Sequence, residues 1–474
     1  MIADLKPYAE YKESGLPWLG QVPGHWDVRP TFGAFEPNHE RNHGMKEKTV
    51  LSLSYGRIVI KPPEKLHGLV PESFETYQIV NPGDIILRTV DLQNDHTSLR
   101  VGMVRNRGII TSAYLALRAT AGVSAEFGFQ FLNVWDASKA IYGYGSGLRQ
   151  NLDFSHFKRM PVSVPPPAEQ AAIVRFLVWA NGRLECAIRA KLKVIALLGE
   201  QKQAIIHRAV TRGLDPSVPL KPSGIPWLGD IPQHWETPLF GRLLARVEQG
   251  WSPVAAEGEL ASDQWAVLTL SSVRRGVFNP SAIKPVSLIA SIPNGIEVGD
   301  GDVLLTRSNT RDRVGDVCIV RAPRPRTILC DLIYRLQVRA GATVSEFLVY
   351  QLLSRAGRGQ IERDARGSSG TMPKISQGHI KSWRILLPPV GEQQGIVDSI
   401  DVNSAPLNTA ISRLEREVEL LGEYRTRLVA DVVTGKLDVR EAAARLPDEA
   451  PLDTVEDDAD LNPELDASDE EAAL

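Results

Sequence analysis

The sequence predicts an α/β (α+β) chain made of two tandem copies of one unit. Each copy is a mixed domain followed by a long helix, and the two helices are expected to pair as an antiparallel coiled coil. Three observations lead there. Residues 14–26, SGLPWLGQVPGHW, return at 223–235 as SGIPWLGDIPQHW, with nine of thirteen positions identical. Further matches follow in unchanged order along the chain. Each copy then closes on a Pro-Pro-x-x-Glu-Gln string that opens a stretch of heptad-like apolar spacing. A length of 474 residues exceeds one ordinary core, and the repeat sets the domain count at two. Its period lies far above those of solenoid repeats.

Taken in order, each unit begins with its Trp-rich string. Large aromatics among Pro and Gly turns usually anchor a segment by packing, so Trp18, Trp26, Trp227 and Trp235 are read as markers of where each unit starts. A partner-subunit contact is the functional alternative. Strand and turn signals come next: TVLSLSYGRIVI and GDIILRTV in the first copy, WAVLTLSSV and DVLLTRS in the second. Val50–Ser54 answers Val267–Ser271, and Gly83–Arg88 answers Gly301–Thr306. Helical spacing is expected around EFGFQFLNVWDASK and EFLVYQLLSRAG, where Ser124, Glu126 and Phe127 answer the Ser345-Glu346-Phe347 run. Pro165-Pro166 with Glu169-Gln170 answers Pro388-Pro389 with Glu392-Gln393, and Ala209–Asp215 answers Val432–Asp438. The offset grows from 209 to 223, as small insertions in the second copy would make it.

The helices after these strings carry Leu184, Ile188, Leu192, Ile195 and Leu198 in one copy. The other copy has Leu407, Ile411, Leu414, Val418, Leu421, Tyr424 and Leu428. A narrow stripe at this spacing with charged flanks lies against a partner helix, and two stripes of matched length favour mutual pairing. Residues 184–211 would extend ~42 Å as a helix. The expected division is therefore 1–165 and 216–388 as the two mixed domains, 166–215 and 389–440 as long-helix spacers, and 441–474 as an acidic, disordered tail.

Composition narrows the function classes. An apolar fraction of 43% with 23% charged residues describes a globular chain, and no apolar run approaches the ~20 residues of a membrane span. Without a secretory signal pattern at the start, the expected compartment is the cytoplasm, with no membrane partner. The net charge of −3 conceals an asymmetry: residues 441–474 carry thirteen acids and one Arg, leaving the remainder at +9. A mildly basic body is compatible with a polyanion. Cys318 and Cys330 flank apolar stretches and are expected to be buried thiols, and Cys186 is assigned no role.

The usual catalytic and cofactor signatures are missing: no phosphate-binding loop, no amino-methyltransferase loop, no metal-ligand spacing among nine histidines. Gly143-Tyr-Gly-Ser-Gly147 is read as a loop, and the matched His156 and His379 as structural. Missing machinery throughout a duplicated chain favours binding over catalysis. Two adhesive domains on a spacer suit a long ligand with two separated features, and ~42 Å is near one turn of B-DNA, ~34–36 Å, so double-stranded DNA is the expected ligand. Two alternatives stay open: a self-sufficient DNA-modifying or cleaving enzyme with an unfamiliar site, and a coiled-coil scaffold that binds only proteins.

These strings resemble the signatures of a known family. Tyr11–Gly20 with Pro23, His25 and Trp26, together with the Pro-Pro-x-x-Glu-Gln entries, looks like the specificity subunit of type I restriction-modification systems, over residues 11 to about 440 and twice over. The resemblance implies two target recognition domains, each reading half of an interrupted asymmetric DNA sequence, with the helices setting the gap. It implies no catalytic centre and no cofactor in this chain. Two copies of a modification subunit would supply the methyltransferase and its S-adenosylmethionine, with restriction or motor subunits as optional further partners. The acidic tail exceeds the family plan. DNA readout needs polar and cationic loop residues. In the first domain these are Ser54, Tyr55, Arg57, Lys61, Arg88, Thr89, Asp91, Gln93, Asn94, Tyr142, Arg149 and Gln150. In the second they are Ser272, Arg274, Arg275, Arg307, Asn309, Arg311, Arg313, Ser369, Thr371 and Lys374.

Overall fold

The computed structural model describes residues 5–62, 73–90, 92, 99–144, 151–225, 228–253, 260–261, 264–287, 292–365 and 372–447. Two compact units divide the chain, residues 1–191 with 416–474, and residues 192–415. Trp227, part of the Gly143–Gly147 run and residues 448–474 lie outside the described residues.

In the first unit a four-stranded antiparallel sheet has the order Phe35–Pro37, Leu115–Ala119, Ile85–Leu87, Val101–Met103. In the second, Leu244–Gln249, Ile333–Val338, Val303–Thr306 and Val317–Ile319 repeat that order. The short apolar runs GDIILRTV and DVLLTRS supply the third strand of each, buried as such runs require. Each sheet carries an Arg–Asp pair, although the two Arg come from non-equivalent strand positions: Arg118 Nε lies 3.0 Å from buried Asp84, and Arg335 Nη1 lies 3.0 Å from Asp302.

WAVLTLSSV is not one strand. Ala266–Leu268 pairs with Ile283–Pro285, a 3-10 turn covers Leu270–Ser272, and a second short strand, Val273–Arg274, then begins. Helix Ala125–Ala137 forms where helical spacing places it, capped by the Ser124 hydroxyl accepting from Phe127 N–H. Its counterpart breaks in two, Ser345–Leu353 and Arg355–Asp364. Ser354 is extended, and its hydroxyl accepts from Gly357 N–H to start a new helix. His156 and His379 are structural, each ring Nδ1 accepting a backbone N–H in a capping box at a helix start.

The long helices run Pro167–Arg212 and Val390–Val433. Pro406 sits inside the second. The carbonyl it leaves without an N–H partner belongs to Val402, which is 73% exposed, so water can take it. The helices are antiparallel within each unit. Glu185 meets Arg425 and Lys191 meets Glu417 in the first unit, and Lys202 donates to Asn408 in the second. Not every seam position faces the partner: Leu192 is 48% and Tyr424 43% exposed. Two helices cover one side of each other, and the heptad positions at the edge of the stripe stay wet.

Each core takes in helix ends. Ile173, Phe176 and Leu177 join Leu428, Val432 and Val433 in the first unit; Ile206 and Val210 join Ile396, Val397 and Ile400 in the second. The acidic tail starts later than expected. Arg440–Ala444 is a helical turn, Ala443 and Leu446 are buried, and Arg175 donates to the Leu446 carbonyl at 2.9 Å. Ala442, Ala443 and Leu446, with Arg175 as a partner, give this stretch a buried face. Among the described residues no helix is long and apolar enough to cross a membrane.

Candidate nucleic-acid interface

The two repeated signatures are one contact. Trp26 is fully buried and its indole N–H donates to Glu169 Oε1 at 2.8 Å, while His25 Nε2 lies 2.8 Å from Oε2. The Tyr8 hydroxyl donates to Oε1 as well, at 2.5 Å; burial first, then this carboxylate, pushes the phenol well above its usual range. In the second unit Trp235 donates to Glu392 at 3.0 Å and His234 lies 2.7 Å from it. Both carboxylates occupy the first turn of a long helix, where the dipole favours an anion. Gln170 and Gln393 accept from the Ser124 and Val344 N–H groups at 2.8 Å and so hold the start of the preceding domain helix. These strings therefore clamp domain to helix. The sequence lists them as separate signatures; the shared repetition of His-Trp and Glu-Gln was the signal that could have joined them.

The polar loops gather at one end of each sheet. In the second unit three segments join. Ile375 N–H donates to Arg307 O at 2.9 Å, Ser308 bridges Lys374, Arg275 N–H reaches Asp316 Oδ2 at 3.3 Å, and Gly276 N–H donates to Val317 O at 2.9 Å. Arg274, Arg275, Arg311 and Lys374 are exposed there, with Arg307, Asn309 and Arg313 half-buried. Arg307 lies 6.0 Å from the Tyr334 ring centroid. The first unit repeats the plan. Leu152 N–H donates to Thr89 O at 2.8 Å, Arg88 N–H donates to Arg100 O at 2.9 Å, and the Tyr55-Gly56 turn lies against Leu99 and Val101. Arg57 is exposed there, with Ser54, Arg88 and Tyr142 half-buried, whereas Lys61, also exposed, stands at the open base of that hairpin, its N–H donating to Val50 O.

Three expected contact residues are withdrawn from the surface. Ser272 is buried, its hydroxyl donating to the Thr269 and Ala282 carbonyls at 2.6 and 2.8 Å. Thr89 is buried, with its hydroxyl 3.5 Å from Ala113 O. The Tyr55 hydroxyl is enclosed without a hydrogen-bond partner among the described residues. Asp91, Gln93, Asn94, Arg149, Gln150, Ser369 and Thr371 lie outside the described residues.

Supporting residues escaped the sequence reading. Arg100 is fully buried and donates to the Arg88 and Val90 carbonyls, at 3.2 and 2.9 Å. Arg358 donates to Val314 O at 2.8 Å and pins the 312–316 turn. Nothing local marks an Arg as a backbone brace; the carbonyls it binds are distant in sequence. Cys318 is buried, and burial pushes its thiol up to about 12; that of Cys330 is pushed up to about 11.

No family model matches the chain. Curated relatives do. The type I restriction enzyme EcoEI specificity subunit of Escherichia coli is 25% identical over 209 residues, 43% of this chain and 34% of that protein. The EcoKI specificity subunit of Escherichia coli K12 is 24% identical over 291 residues, 60% of each chain. The StySPI specificity subunit of Salmonella potsdam is 22% identical over 290 residues, again 60% of each. The matches thus span about a third to three fifths of the length of these relatives. A solved chain described for complex assembly and conformational transition of the type I R-M system shares the fold. Its TM-score is 0.58 at 15% identity, over 88% of this chain and 99% of that one. In sequence this chain is similar to type I restriction enzyme specificity subunits, and in fold to a solved chain of a type I R-M system.

Proposed function

We propose that the chain is a non-catalytic reader of double-stranded DNA working in the cytoplasm, with residues 1–165 and 216–388 each reading one half of an interrupted, asymmetric target. Residues 166–215 and 389–440 serve as the spacer that sets the gap. The chain recruits two copies of a modification subunit, which brings the methyltransferase and S-adenosylmethionine, and restriction or motor subunits join as further partners. One observation carries this reading. The same loop cluster is built twice, at the same end of corresponding sheets, with exposed Arg in both but different residues at matching places. Cations at such loops anchor phosphates, and their differing neighbours allow each unit a different base sequence. Likeness to named specificity subunits supports it.

The test is to express the full chain with the modification subunit of the same genome and map methylated bases genome-wide. A two-part asymmetric motif with a fixed gap is expected. Methyl transfer by the chain alone, or methylation without a motif, would sink the proposal.

A further inference from the structure

Two hairpins, one in each unit, make the same tight turn with a residue poorly suited to it. Leu51–Ser54 and Arg57–Ile60 are joined by Tyr55-Gly56, Val273–Arg274 and Val277–Phe278 by Arg275-Gly276. Both linking residues have positive φ: 44° and 76° in the first turn, 41° and 89° in the second. Two-residue hairpins of this kind favour Asn-Gly or Asp-Gly, because a bulkier side chain in the left-handed region costs about 1 kcal/mol. The two copies share this backbone and its glycine, yet one carries Tyr at the tip and the other Arg. The Tyr55 hydroxyl is enclosed whereas Arg275 is exposed, so the shared turn offers a free polar group at its tip in the second unit alone. Strain of this kind persists where neighbours over-determine it, and it concentrates at functional sites.

In the second unit those neighbours are identifiable. Arg275 N–H donates to Asp316 Oδ2 at 3.3 Å. A Cβ on Gly276 would stand 2.9 Å from the tip of the Leu353 side chain, and its φ of 89° lies in the region that favours glycine. Asp316 is buried; burial pushes its carboxyl above the usual range against the pull of Arg275, Arg358 and Arg313. Its other oxygen lies 3.8 Å from Arg358 Nη1, and Arg358 fixes the Val314 carbonyl beside it. The backbone of the tip is thus held from below, while the Arg275 guanidinium is exposed and has neither a hydrogen bond nor an ion pair among the described residues. Arg274 is the preceding residue, and Arg307, Arg311 and Lys374 belong to the adjoining segments of the same loop cluster, where cations can hold phosphates.

We infer that Arg275 is a specificity-determining residue of the second unit, its guanidinium fork reading one guanine of that half-site through N7 and O6, and that Asp316 is its positioning residue. A planar fork with two parallel donors matches guanine in the major groove and no other base edge. The inference rests on the proposed DNA-reading role.

The experiment uses the full chain with its modification subunit and maps methylated sites for the parent, Arg275→Asn, Arg275→Lys and Asp316→Asn. Asn suits the turn, so Arg275→Asn is expected to fold with an unfolding midpoint equal to or above the parent's. It should lose about 5- to 150-fold discrimination at one guanine of one half-site, leaving the other half-site and the gap unchanged. Arg275→Lys keeps the charge but not the fork, and should relax the same position. Asp316→Asn should relax that position less than Arg275→Asn does, because the guanidinium remains. An unchanged motif in Arg275→Asn, or an equal weakening at all positions, would overturn the assignment while leaving the DNA-reading role intact. A parent chain that yields no two-part motif would overturn both.

Discussion

At the scale of single residues, the glutamates at the helix entries carry more than their number suggests. Glu169 is 4% exposed and receives Trp26 and Tyr8 donors beside His25; Glu392 is 29% exposed and receives Trp235 beside His234. Removing a buried acceptor strands its donors without water, whereas a partly wet site can rehydrate. Glu169→Ala is therefore expected to cost about 2–4 kcal/mol and Glu392→Ala about 1–2 kcal/mol, read as shifts in urea midpoint of the full chain. Equal costs would show that burial does not set the difference. The identity of these residues was plain in the repeated strings, but their meeting was not, since His25 and Glu169 are joined only by the fold.

Among the elements, the long helices were the most legible part of the sequence. Apolar residues at 3- and 4-residue spacing from Leu184 onward dictate a stripe, and a stripe dictates a partner. The sheet strands were legible as runs, from Ile85–Leu87 and Val303–Thr306. The broken helix at Ser354 was not, because its cap competes with a continuing apolar pattern. The loop clusters were legible only as lists of polar residues. Their assembly depends on backbone bonds such as Leu152 to Thr89 and Ile375 to Arg307, between residues far apart in the chain. The helix pair gives a register prediction. Glu185 opposite Arg425, Lys191 opposite Glu417 and Lys202 opposite Asn408 run in step, so residues 194–200 face 409–415. Deleting both heptads together preserves the seam and shortens the spacer by about 10 Å, or about three base pairs. The methylated motif should keep both half-sites and lose about three positions from its gap; altered half-sites would refute the spacer role. Deleting only one heptad should instead lower the melting temperature, since the remaining pairs can no longer all form.

For the whole molecule, the duplication implies that neither copy is complete on its own stretch of chain. The first unit consists of residues before 192 and after 415, so its core needs Val432 and Val433 from the far end of the sequence. Asp438 N–H donates to the Lys6 carbonyl at 2.8 Å, and Arg440 lies 5.2 Å from the Tyr8 ring centroid. Gly435, in a left-handed turn, lies close to the Trp26 ring, as Gly213 does to the Trp235 ring. Charge is also a whole-chain property: without residues 448–474 the net charge rises from −3 to +9. Removing that segment should strengthen heparin retention and non-specific DNA affinity, most visibly at low salt. No change in salt elution would show that the segment's charge does not reach the loop clusters.

The join between Lys6 and Asp438 matters beyond stability. The chain is covalently linear but topologically close to a ring, with the peptide connection after Gly213 and the non-covalent one after Gly435 playing equivalent parts. Where such a ring is cut becomes an accident of gene order. A circular permutant that starts at Pro216, with residue 447 tethered to residue 5 by a short flexible linker, should therefore fold and recognise the same DNA.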